Sequence, residues 1–400
     1  IVEPKGSTYH DPQTGAEVRA GTLVDVHVDP SAGGNPVAAH VDGSFREFML
    51  FLQDNNPVEG RFTQGGGTIN LRAEPWRLRD LPGNDPAYRF SSVLHDDPHT
   101  QEIKAYVGDP VVVRGMGLIE RVGGVRFAGH RFNIERYTEE SDTRDTTYLG
   151  ISERFDVSLE GGAGGPGGYP GDYLYYSTLG RDFESGAWGL LRVGDALRPS
   201  LQPLPDRPTP PAGDGFPDLS FSGAPPPSLD DGPGDACPPG APVREYSIAL
   251  TDANIVYNDF SLPDSTGVAY QPQNEVNADV RTPLVMRANT GQCLRIHLRN
   301  DRQERGSIAI GELIADPQRS ASSAIGLNFD SSVAPGEERT YELFADRPLG
   351  LVTALNLSDA ESIERGGFAG VVVEPDGARY FRPNTNLCLK VVWAFRPTSD

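Results

Sequence analysis

Cysteine, histidine and basic residues are scarce in this chain of 400 residues, and each scarcity closes off a class of function. Cys237, Cys293 and Cys388 are the only cysteines, too few for a disulfide scaffold and without the paired spacing of a zinc site. Their odd number means either that the chain is a piece of something longer or that Cys388 is a buried thiol. Lys and Arg number 35 against 56 Asp and Glu, a formal charge of -21. That balance argues against nucleic acid or an anionic membrane as partner, since both need a basic patch to displace counterions. No apolar run approaches the ~18 residues of a membrane span, and Ile1 opens with no basic n-region or cleavage site. No segment holds an apolar period of about 3.6 residues, so long helices are not expected. Nucleophilic catalysis has no Gly-x-Ser-x-Gly elbow to rest on. The acidic residues are scattered over turns rather than gathered into a catalytic pair, and read as solvation.

What the chain does have is 46 glycines and 35 prolines, a load that suits short strands and many turns. Its length suits two or three domains. An internal echo organises them: Ile1-Val2-Glu3-Pro4-Lys5-Gly6-Ser7-Thr8-Tyr9 returns as Val372-Val373-Glu374-Pro375-Asp376-Gly377-Ala378-Arg379-Tyr380. Each copy is followed by an apolar, strand-like run, residues 45–52 and 387–395. The expected organisation is therefore a tail of a preceding domain with its connector (1–43), a domain (44–195), a linker (196–242), a second domain (243–377), and a connector with the first strand of a further domain (378–400). The first domain has strand candidates at 102–114, 125–135, 152–159 and 172–176. The second has them at 246–250, 284–288, 293–298, 339–344 and 370–373. The linker, with Pro208-Thr209-Pro210-Pro211 and Pro225-Pro226-Pro227, reads as stiff and solvated. Short spaced strands imply an all-β sandwich or barrel.

Several motifs carry a resemblance to a known family. Gly161-Gly162-Ala163-Gly164-Gly165-Pro166 precedes Pro170-Gly171-Asp172-Tyr173-Leu174-Tyr175 and Gly186-Ala187-Trp188-Gly189-Leu190-Leu191-Arg192-Val193. Further on stand Ala241-Pro242-Val243-Arg244-Glu245-Tyr246, Asn289-Thr290-Gly291-Gln292-Cys293 and Val333-Ala334-Pro335-Gly336-Glu337. In this order they resemble multi-domain bacterial multicopper oxidases of the ceruloplasmin-like or manganese-oxidising kind. The resemblance implies an all-β fold of tandem cupredoxin-like Greek-key β-sandwich domains in a secreted protein, extracellular or periplasmic.

The same family needs a type 1 copper held by one Cys and two His, and a trinuclear cluster held by about eight His. The seven histidines here are His10, His27, His40, His95, His99, His130 and His297, with no His-x-His pair among them. Where the family places its cysteine, after Gly171-Asp172-Tyr173-Leu174, this chain has Tyr175-Tyr176-Ser177. Gly129-His130-Arg131-Phe132 matches the family's Gly-His-Arg-aromatic strand, making His130 a retained ligand position, while its partner histidine is replaced at Val125 or Phe127. The family's His-rich turn has become residues 359–370, expected as a solvated turn, and Asn328 stands where a histidine would be expected.

Two local readings remain. His95-Asp96-Asp97-Pro98-His99 offers two imidazoles and two carboxylates to a divalent cation, with an ordinary polar loop as the alternative. Residues 162–167 match a dinucleotide fingerprint in form, but Pro166 and Pro170 forbid the helix it requires, which leaves a hairpin loop. His297 falls on the polar phase of its strand and Trp188 is expected to pack the sandwich. Cys237 and Cys293 lie on motifs of family type and are expected to pair as a disulfide, two buried thiols being the alternative.

No catalytic residue is expected, nor any bound cofactor; His130, His95 and His99 are the metal candidates that remain. The expected function is a copper-poor scaffolding segment of a secreted multicopper-oxidase-like protein. Its partners would be other cupredoxin domains, itself or other extracellular components. The alternative is the middle of an active oxidase that passes electrons from Mn, Fe or Cu ions or phenols to oxygen, at copper centres outside this segment.

Overall fold

The computed structural model describes residues 3–32, 41, 43–54, 66–229, 232–258, 260, 263–321 and 323–381. The run at 387–395 and Cys388 lie outside them. The chain divides into two compact units: one holds residues 1–85, 89–226 and Ile325–Asn328, the other Pro86–Tyr88, 227–324 and 329–400. Both are all-β sandwiches of two facing sheets.

In unit 1 the strands are β1 (Thr8–His10), β2 (Leu23–His27), β3 (Phe45–Gln53), β4 (Thr68–Ile69), β5 (Ile103–Tyr106), β6 (Val111–Leu118) and β7 (Gly123–Phe127). They continue with β8 (Phe132–Asn133), β9 (Thr143–Arg144), β10 (Thr146–Leu149), β11 (Arg154–Ser158), β12 (Gly171–Ser177) and β13 (Trp188–Gly194). One sheet runs β1-β2-β3-β6-β11 and the other β10-β7-β12-β13-β5. Alternation builds the core: Phe48, Leu50 and Leu52 of β3 point inward with Val111 and Val113 of β6, meeting Val125, Phe127, Tyr175, Leu191 and Val193 of the facing sheet. The opposite face of the first sheet is not bare, because Val24, Val26, Phe45 and Val112 form a second apolar cluster there.

Residues 8–27, expected as the tail of a preceding domain, instead complete this sheet, with β2 antiparallel to β3 (Leu23 opposite Phe48) and β1 antiparallel to β2. The physical reason is that β3, buried on both faces, needs a hydrogen-bonded neighbour on each side, and β2 supplies one of them. The internal echo has a structural counterpart. Ser7 N–H donates to Pro4 O and Ala378 N–H to Pro375 O, with Gly6 and Gly377 at φ of 84° and 76°. Each copy is thus the same Pro-x-Gly turn, and only glycine takes its third position without strain.

Unit 2 contains β14 (Val243–Val256), β15 (Pro263–Pro272), β16 (Asp279–Val280), β17 (Val285–Asn289) and β18 (Gln292–Asn300). It ends with β19 (Ala309–Ile310), β20 (Glu338–Ala345), β21 (Gly350–Leu355) and β22 (Phe368–Glu374). Its sheets run β15-β14-β18-β20 and β17-β22-β21-β19. The core is filled by Tyr246, Ile248 and Leu250, by Leu294, Ile296 and Leu298, and by Val352, Val371 and Val373.

The described residues of 196–242 carry no strand, yet they are not freely solvated. Leu201, Leu204 and Phe216 are buried, and Tyr106 donates its hydroxyl to Leu201 O at 2.8 Å. Proline-rich backbone lacks donors for a sheet, but its apolar side chains still gain from leaving water.

Candidate functional site

His130 sits in the turn that leaves β7. Gly129 adopts φ of 68°, and a Cβ there would fall 2.6 Å from the Tyr173 ring, so this turn requires glycine. The imidazole is fully buried and edge-on to Tyr173 at 4.5 Å. Its Nδ1 lies 3.1 Å from Ala128 O and its Nε2 accepts the Gly164 N–H at 3.0 Å. A carbonyl on one side and an N–H on the other fix the proton on Nδ1. Burial pushes the pKa down to about 4, which keeps the ring neutral. The candidate ligand therefore ties down the glycine-rich loop after β11, and neither nitrogen has a lone pair left for a metal.

The thiolate's expected place is equally closed. Tyr175 is fully buried, packs against Phe48 and Phe127, and donates its hydroxyl to Gln101 O. Val125 and Phe127, at the partner-histidine position, belong to the same core. A type 1 copper does not fit these residues. His130→Ala should lower stability by about 2–4 kcal/mol, from the cavity and the orphaned Gly164 N–H. Copper retention after metal loading should be unchanged, which denaturant titration and metal analysis would check together.

The His95–His99 loop is pulled apart by its partners. His95 ends a single helical turn, α1 (Ser92–His95), half-buried, with its pKa pushed down to about 4 by burial and then by Arg79. Asp97 pairs with Arg192 at 2.8 Å. Largely exposed His99 places Nδ1 2.9 Å from Glu74, whose other oxygen receives Arg79 at 2.9 Å. His10 and His27, on neighbouring strands, stack ring on ring at 3.9 Å. Half-buried His297 bonds Thr340 at 2.9 Å through Nδ1.

Asn328 is buried within unit 1, where it acts as a strand surrogate. Its amide donates to Asp172 O at 2.7 Å and its carbonyl accepts Asp172 N–H at 2.8 Å. The Asp172 side chain takes Leu327 N–H and the Arg192 guanidinium. The turn at 359–370 is not the solvated loop expected. Within it Ala360 and Ser362 are buried, and Asp359 pairs with buried Arg302 at 2.8 Å.

Sequence reasoning missed the buried charges, because their partners come from distant segments. Arg46 donates to Asp109 at 2.7 Å and to Asp25 at 2.8 Å; Arg114 holds Glu47, Asp156 and Glu3. Beside the first group lies a cavity of about 350 Å³ whose lining includes Thr22, Leu23, Phe48, Ile103, Glu102 and Lys104. Burial, against the pull of Arg46, pushes the Asp25 carboxyl up to about 6. The cavity's lining mixes buried apolar side chains, Phe48 and Ile103, with the buried charges of Asp25, Arg46 and Glu47. Thr22 donates its hydroxyl to Gln101 Oε1 at 2.9 Å.

Cys237 and Cys293 are joined as a disulfide, with Cα atoms 5.6 Å apart. Among the described residues, Cys237, Cys293 and Glu342 are the one group of three metal-ligating side chains with donor atoms within 4.8 Å of one another.

No protein-family model matches the chain, and no curated protein matches it. Solved structures similar to it include a copper nitrite reductase from Nitrosomonas europaea, 13% identical over 82% of this chain and 94% of that one, TM-score 0.26. A multicopper oxidase is 14% identical over 84% and 93%, TM-score 0.25. A laccase from Botrytis aclada is 12% identical over 81% and 63%, TM-score 0.25. Likeness of this degree carries no inference about chemistry.

Proposed function

We propose that this chain is a copper-poor structural segment of a secreted, multicopper-oxidase-like protein, serving to pack and assemble domains. The observation that carries the reading is His130: at the position matching the family's ligand strand, both ring nitrogens are consumed by Ala128 O and Gly164 N–H. Tyr175 fills the place of the thiolate with core. A packing role is supported by the outer face of the β17-β22-β21 sheet. There Val285, Phe368 and Leu351 are 42%, 41% and 67% exposed, on strands whose registers bring them to one side. Apolar surface gathered in this way favours association.

The test is metal analysis after loading the purified chain with copper and dialysing. Well under one copper per chain is expected. One or more, with the blue absorption of a thiolate-bound copper, would overturn the proposal. The rival reading, a middle piece of an active oxidase, predicts the same result for this chain but copper centres in the neighbouring domains.

A further inference from the structure

The outer face of the β14-β18-β20 sheet is crossed by a strap of chain leading into β14. Pro233 O in the strap accepts the Ser320 hydroxyl at 2.7 Å, Ala236 is buried, and Cys293 N–H donates to Pro242 O at 2.9 Å. Cys237 in the strap is half-buried, whereas Cys293 on β18 and Glu342 on β20 are 1% and 8% exposed. Strand register explains the meeting: Cys293 pairs with Phe344 and Arg295 with Glu342, so the Cys293, Arg295 and Glu342 side chains share the strap's side of the sheet. Arg295 holds a Glu342 oxygen at 2.6 Å.

We infer that reduction of the Cys237–Cys293 bond opens a binding site for a zinc-class divalent cation, with Cys237, Cys293 and Glu342 as ligands. The reductant is a dithiol. Two electrons and two protons pass to the sulfurs as the dithiol closes to its cyclic disulfide, and metal binding then expels both protons to solvent. Geometry and charge fit. Bonds of about 2.3 Å to thiolate and about 2.1 Å to carboxylate place tetrahedral donors roughly 3.5–3.8 Å apart, and the present donor atoms already lie within 4.8 Å of one another. Two thiolates, a carboxylate and a divalent cation leave one negative charge, which the Arg295 guanidinium, shared with Glu245, offsets in part. The fourth position falls to water through the half-exposed strap.

The experiment uses the full chain carrying Cys388→Ser, reduced with dithiothreitol, desalted without oxygen and titrated with cobalt(II). One equivalent should bind with thiolate-to-cobalt charge-transfer absorption, be displaced by zinc, and release about two protons. The unreduced chain should give no such absorption. Cys237→Ser should abolish it, and Glu342→Gln, which keeps the shape of the side chain, should weaken binding at least tenfold. The inference is overturned if the reduced chain shows no charge-transfer band, or if Glu342→Gln binds as tightly as its parent. Loss of near-ultraviolet dichroism on reduction overturns it as well, since an unfolded unit would bind cobalt without this site.

Discussion

Arg46→Leu should cost unit 1 about 3–5 kcal/mol, because it strands two carboxylates inside the protein. Arg46 lies on the inward face of β3, 3% exposed, with every arm of its guanidinium engaged: Asp109 at 2.7 Å, both oxygens of Asp25, and Gln202 O at 2.8 Å. Asp25 and Asp109 are 2% and 5% exposed. Leucine fills part of the space but leaves two buried carboxylates without their cation. Urea unfolding followed by tryptophan emission measures the loss. Adding Asp25→Asn and Asp109→Asn to Arg46→Leu should recover most of it, since the cost resides in the orphaned charges rather than the missing attraction. A single-variant loss under 1 kcal/mol would show that water reaches these carboxylates.

Asp182→Asn should stabilise the protein at pH 8 by on the order of 2–3 kcal/mol and change little at pH 4. The carboxyl is fully buried in the first turn of α2 (Gly180–Glu184), with Arg121 at 3.0 Å. Burial pushes it up to about 6 from an ordinary 3.8, outweighing Arg121 and Arg181, with Asp54 adding to the rise. A pKa raised by folding contributes stability that is present below about pH 4 and lost as pH rises through about 6. At pH 8 the native protein therefore carries an ionised, poorly solvated carboxylate that asparagine removes while still accepting from Arg121. His130 and His95, both near 4, act oppositely, losing stability as pH falls from about 6.5. They are common to both proteins, so the difference between wild type and variant isolates Asp182. A difference that does not change with pH would refute this account.

The long strands were legible because alternation is written locally. Residues 45–52 and 293–298 show their inward residues directly, and β3 and β18 follow with ends shifted by a residue or two. The breaks were less so. Residues 125–135 look like one strand, but Gly129 turns the chain and divides it into β7 and β8. The buried charges could not be read at all: an aspartate at position 25 or 172 looks like any surface aspartate until a distant arginine is folded onto it. His130 shows the same limit within a site. Its neighbours in sequence mark a ligand position, and only the fold reveals that Gly164, far along the chain, has taken its second nitrogen.

The four residues Ile325–Asn328 belong to unit 1 although nearly a hundred residues of unit 2 precede them in the chain. A ribosome that has released everything up to Pro226 has still not delivered the side chain that braces β12 at Asp172. Unit 1 thus reaches its final form only once residue 328 has emerged, later than the usual order of one domain after another during synthesis. Cutting the gene at the proline-rich segment would yield a first half that lacks one of its own pieces.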